Sequence, residues 1–114
     1  MSKRIDGVYL GDMLDAARRV QAKVGGKTID DFRADENLQL AVVHLIQIIG
    51  EAANRVSAET RARNASVPWN AVIGMRNRLL HDYGNVNYDV VWSVAVEEIP
   101  KLIASIGRLL PDQP

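Results

Sequence analysis

The chain contains no cysteine. That excludes a thiol nucleophile, a cysteine-based zinc site and a disulfide framework, and it suits a reducing cytoplasm. Only two histidines occur, His44 and His81, so a histidine-rich metal site within one chain is not expected. Net charge is missing too, since fourteen basic residues balance fourteen acidic ones. A non-specific nucleic-acid binder would be strongly basic. The opening MSKRIDGVYLGDMLDAARR has no uninterrupted apolar stretch, so neither a signal peptide nor a membrane-spanning helix is expected there. Repeats, low-complexity tracts and strand-like alternation are also absent from the pattern.

What the 114 residues do hold is helical periodicity. A chain of this length fits one domain and buries roughly two thirds of the surface its unfolded form exposes, enough for a core without staples. Ile5, Tyr9, Met13, Ala16 and Val20 predict a first helix from about Ser2 to Lys23, ended by Gly25 and Gly26. Thr28 with Asp31 predicts a capped helical turn. Leu38, Val42, Leu45, Ile49, Ala52 and Val56 form one seam, predicting a second long helix over roughly Glu36 to Val56. Ser57 suits the cap of a short polar segment through Asn64. Pro68 suits the first turn of a helix that carries Trp69, Val72, Ile73, Leu79 and Leu80 and frays near Asp82 to Gly84. Asn87 suits the cap of a last helix, which Pro100 should kink. The short connections predict an all-α, antiparallel bundle of four to five helices. Surplus apolar surface on the long helices makes a homodimer plausible.

The charges are unevenly placed. From Glu51 to Arg78 there are five arginines, two glutamates and no lysine or aspartate, a local +3. A planar guanidinium is suited to gripping phosphate, although such a run also suits a solvated helix face. The second long helix carries a polar line of His44, Gln47, Glu51 and Arg55, which must meet water, a partner chain or another polar group. One reading has Glu51 orienting Arg76 or His81. The other has a solvated stripe or a Glu51–Arg55 pair.

The most informative stretch is RNRLLHDYG, residues 76–84. Arg76 and His81 lie five positions apart, about 140° around an ideal helix, so they converge only if the helix loosens near His81 or the site crosses a symmetric interface. RNA cleavage without a metal needs a base for the 2′-hydroxyl proton and positive charge on the transition state. Imidazole, with an unperturbed pKa near ~6.5, suits the first task. Guanidinium suits the second. The same two residues also suit a cation pair at a helix C-terminus.

Arg-x-x-x-x-His-x-Tyr, here RNRLLHDY, resembles the motif of the HepT toxins of the HEPN superfamily, and IIGEAANRVS, VPWNAVIGMRN and YDVVWSVAVEEIPKLI resemble that family around it. The resemblance implies a single HEPN domain over residues 1–114, dimerising with two motifs across a cleft. It implies an endoribonuclease that needs no metal or other cofactor and acts on tRNA or mRNA. It implies a toxin of a type II/VII-like pair, with a cognate MntA-type nucleotidyltransferase as antitoxin. By that likeness Arg76 and His81 are the catalytic pair, Asn77 binds phosphate or orients His81, and Tyr83 is the residue modified with AMP; by their charge and placement, apart from the likeness, Arg78 and Glu51 are expected to support the site. The alternative is a non-catalytic HEPN subunit that binds a nucleotidyltransferase or its substrate.

Overall fold

The computed structural model describes residues 2–82 and 85–110, with the side chains of residues 2–4 and 80–82 outside that description. The fold rests on three long rods. They are α1 (Ser2–Val24), α3 (Glu36–Arg55) and a composite of α7 (Tyr88–Ser93), a π-helical turn (Val94–Glu98) and α8 (Ile99–Leu109). Between them run the short helices α2 (Ile29–Arg33), α4 (Ala58–Arg63), α5 (Trp69–Ile73) and α6 (Met75–Leu79), then the strands β1 (Leu80–Asp82) and β2 (Asn85–Val86).

The apolar seams of the sequence form one core. Met13, Val20, Val42, Ile46, Ile49, Val94, Ile99 and Ile106 are wholly buried. Burying a Leu, Ile, Val or Met side chain contributes about 1.5–3 kcal/mol, so this seam outweighs any propensity term. The local signals also hold. Gly26 ends α1 at φ 74°, a backbone shape that costs glycine nothing. Thr28 and Asp31 form a reciprocal capping box, Ser57 caps α4 and Asn87 caps α7. Phe32 packs edge-on to Tyr88 and tilted against Trp92 at 6.3 and 5.4 Å, and Gln39 donates to the Phe32 and Arg33 carbonyls, so α2 is tied to α3 and to the composite rod.

Near the start of α1, Asp6 is only 3 % exposed. It accepts from the Ser57 amide and hydroxyl at 2.9 and 2.7 Å and from the Thr60 hydroxyl at 2.5 Å. Asp6 thus meets Ser57, two residues past the end of α3, so α1 and α3 run antiparallel. Burial pushes the Asp6 carboxyl up, but those donors and the Arg63 charge together hold it below its ordinary range.

Three expectations are corrected. The fourth helix is not continuous: it breaks at Gly74 into α5 and α6, and Pro68 stands at the cap of α5, one position before its first turn. The chain after Leu79 does not fray as helix but pairs as a short antiparallel hairpin, with Leu80 opposite Val86 and Asp82 opposite Asn85. Pro100 disturbs the last rod through a π turn just ahead of it. Proline offers no amide hydrogen and crowds the carbonyl four residues back, and a widened turn is one way to absorb that. The result is an all-α arrangement of three rods with short helices between them, as expected of a helical bundle.

Candidate active site

The RNRLLHDYG segment is built between two anchored ends. Asn77 and Arg78 donate their amides to the Gly74 carbonyl at 3.0 and 3.2 Å, which starts α6 afresh after the break. Met75 and Leu79 are buried, 2 % and 1 % exposed, and fix the inner side of this single turn. At the far end the Asn87 amide donates to the Leu79 carbonyl at 2.8 Å. Arg76, Asn77 and Arg78 are left on the solvent side, all exposed.

Those three side chains differ in what they meet. Arg78 forms a two-pronged pair with Glu98, at 2.9 and 2.7 Å. The Glu98 carboxylate raises the Arg78 guanidinium above its ordinary value against a smaller desolvation effect. In return the Arg78 hydrogen bonds hold Glu98 below the usual range. Its donors are therefore shared with a carboxylate from the π turn, and the pair holds α6 to the last rod. Arg76 has no hydrogen bond or ion pair with any other described residue. No carboxylate among the described residues compensates its charge.

His81 lies in β1, not on a helix. Leu80 pairs with Val86 and Asp82 with Asn85, so three residues of one strand face two of the other and His81 is the extra one. Such bulges re-aim a side chain and recur beside active sites. The 140° separation set by an ideal helix therefore does not apply to Arg76 and His81. Tyr83, the expected modification site, lies outside the described residues.

Glu51 is exposed on α3 and lines a shallow cleft with Tyr9, Asp12, Ile48 and Arg55. No hydrogen bond or ion pair joins it to Arg76 or to Arg55 among the described residues. Close contact between α3 and α5 comes instead at Gly50, where a Cβ would stand 3.3 Å from the Val72 carbonyl oxygen. Among the described residues no group of three or more His, Asp or Glu side chains could hold a metal ion. No helix there is long and apolar enough to cross a membrane. The sequence reading missed Glu98 and the break at Gly74. The glycine inside an otherwise helical pattern was a signal for the second; nothing local pointed to the first, twenty positions from Arg78.

Fold and segment together define an all-α protein with an arginine, without a partner among the described residues, held just before a histidine-bearing bulge. A family model described as HepT-like, ribonuclease HepT-like, matches residues 13–109. The chain is 35 % identical over 102 residues to the candidate RNase TTE0752 of Caldanaerobacter subterraneus, covering 90 % of this chain and 91 % of that one. It is 30 % identical over 107 residues to the probable ribonuclease HepT of Thermococcus cleftensis, covering 94 % and 97 %. The chain belongs to the HepT-like ribonuclease family. No solved structure matches it.

Proposed function

We propose that the protein is a metal-independent endoribonuclease toxin acting as a homodimer on tRNA or mRNA. The observation that supports this most is the family membership together with Arg76, exposed and without a partner among the described residues, five positions before His81 on an anchored segment. One His81 imidazole takes the proton of the RNA 2′-hydroxyl as its oxygen attacks phosphorus. The bond to the 5′-oxygen breaks, and His81 of the partner subunit, protonated, gives that oxygen its proton. The products are a 2′,3′-cyclic phosphate and a 5′-hydroxyl end, and no metal enters the balance. Arg76 holds the extra negative charge of the transition state, and Asn77 supports it with an amide. A nucleotidyltransferase of the MntA type, acting as antitoxin, would place AMP on Tyr83, two residues from His81, and repel RNA phosphate.

His81→Ala should lower RNA cleavage by about 10²–10⁴ and abolish growth inhibition, Arg76→Ala should do likewise, and EDTA should change nothing. Cleavage by purified His81→Ala at the unmodified rate would sink the proposal. A wild-type protein that binds the nucleotidyltransferase tightly yet never cuts RNA would support the non-catalytic reading instead.

A further inference from the structure

Met75 directly precedes Arg76, and it borders a cavity that the cleavage chemistry leaves unused. The cavity holds about 420 Å³ and lies between α5–α6 and the last rod, within the size range of small-molecule sites. Its floor is apolar: Val72, Met75 and Leu102 line it and are buried. Its rim is polar. Glu98, Lys101 and Ser105 stand there, spaced three and four apart, so one face of the last rod carries all three. An apolar floor under a few convergent polar groups suits a flat ring with a polar edge, and the Met75 thioether makes favourable contact with aromatic rings.

The rim narrows the chemistry of that ring. Hydrogen bonds from Arg78 hold Glu98 below the usual carboxylate range, so Glu98 is ionised at neutral pH and can only accept. The Arg78 fork takes one site on each carboxylate oxygen, and a second site remains on each. Lys101 makes no hydrogen bond or ion pair among the described residues, although its charge lowers Glu98 further. An ammonium can only donate. Acceptor and donor therefore stand one helical turn apart, and the complementary ring edge carries a donor beside an acceptor. Adenine and cytosine have such an edge, an exocyclic amino group next to a ring nitrogen, and guanine has one at its N2 and N3. Uracil has no amino group.

The cavity is also well placed. Around α6, Arg78 stands about 60° to one side of Met75 and Arg76 about 100° to the other. The cavity opens on the Arg78 side, where Glu98 is. A strand running from it to Arg76 crosses a helical turn about 10 Å wide, or about three stacked nucleotides at ~3.4 Å each. That position fits a base near the cut rather than the cut itself.

We infer that the cavity is a subsite for one base of the RNA strand, a few nucleotides from the scissile phosphate, which stacks on Val72, Met75 and Leu102 and presents an amino group to Glu98 and a ring nitrogen to Lys101. The inference rests on the ribonuclease reading for the choice of RNA as the source of the base. Met75 is its reporter, one of three methionines in the chain. A base stacked over the thioether should shift the ¹³C-labelled Met75 methyl signal upfield in an NMR titration. Met13, wholly buried in α1, should stay in place, and Met75→Leu assigns the signal. The probes are 2′-deoxy tetranucleotides, which lack the hydroxyl needed for cleavage. Adenine and cytosine tetramers should move the Met75 signal with at least about fivefold higher affinity than the uracil tetramer. Lys101→Leu, at an exposed position, should remove most of that preference. Ala71→Leu, at the exposed mouth, fills the cavity and should abolish the shift.

A Met75 signal that no tetramer moves overturns the inference. So does equal affinity for all three bases, or a shift with AMP that the adenine tetramer cannot reproduce, which would make the cavity a site for a free nucleotide. Binding is read on strands that are not cut, so the two readings fail separately. A protein that takes the base but cuts no RNA removes only the nuclease proposal, and a cutting protein whose Met75 signal stays still removes only this one.

Discussion

Asp6 and Glu98 are both carboxylates held below their ordinary range, for different reasons and with different consequences. Asp6 is buried and its oxygens are saturated by Ser57 and Thr60, so removing its charge leaves donors without an acceptor. Asp6→Asn should cost about 1–3 kcal/mol. The unfolded chain binds the Asp6 proton more readily than the folded one, so the knot's stability is present above the ordinary aspartate range of roughly 4 and is lost as pH falls through the lower folded-state value. Urea midpoints should therefore differ between wild type and Asp6→Asn at neutral pH and converge in acid. An equal gap at both would contradict the assigned cause. Glu98 is different. Its side chain and that of Arg78 are 35 % and 42 % exposed, and solvent screening limits such a pair to about 0–1 kcal/mol. Glu98→Gln should leave the thermal midpoint nearly unchanged, and its effect should appear in how Arg78 meets other anions.

At the scale of elements, the glycines of two helices give opposite expectations. Gly11 in α1 has nothing within 4 Å of a built Cβ, so Gly11→Ala should gain about 1 kcal/mol of helix propensity. Gly50 carries the same propensity gain, but its Cβ would meet the Val72 and Ile73 carbonyl oxygens at 3.3 and 3.5 Å. Those atoms belong to the backbone of α5 and cannot rotate away. Gly50→Ala should melt below Gly11→Ala, and by displacing α5–α6 it should also lower RNA cleavage. Equal melting temperatures would mean that α5 is not held against α3. The long helices were legible because each repeats its apolar spacing for several turns. The caps at Thr28, Ser57 and Asn87 were legible because a side-chain oxygen there binds an amide two or three positions on. The break at Gly74 was hidden by Val72, Ile73, Leu79 and Leu80, which keep helical spacing across it. The hairpin was hidden because strands of three and two residues are too short to show alternation. Of the proposed site, residue types were legible and partners were not. The Arg78–Glu98 pair joins residues that only the folded chain brings together.

The whole molecule measures 44 × 33 × 20 Å, so its thinnest direction is about two helix diameters and its faces are broad for its mass. Its charge sums to zero, which leaves no general field to hold RNA. The locally basic run between Glu51 and Arg78 is then the expected source of affinity. Of the five arginines between Glu51 and Arg78, Arg63 pairs with Glu59 and Arg78 with Glu98. Arg55, Arg61 and Arg76 form no ion pair among the described residues. Each cation that neutralises a phosphate of single-stranded RNA contributes a slope of about −0.7 to log affinity against log salt. Three per protomer set a limit near −2 for a monomer and near −4 for a two-fold dimer. Binding of an uncleavable RNA, followed by fluorescence anisotropy across a salt series, should give a slope between those limits. Arg76→Gln should make the slope shallower. Arg78→Gln should leave it nearly unchanged, because Glu98 already occupies that guanidinium. Glu98→Gln should steepen it, by releasing Arg78 to the phosphates. A slope steeper than about −4 would show that cations outside this run also meet the RNA, and a slope that Arg78→Gln flattens as much as Arg76→Gln does would show that RNA rearranges these ion pairs on binding and that Arg76 has no special place among the arginines.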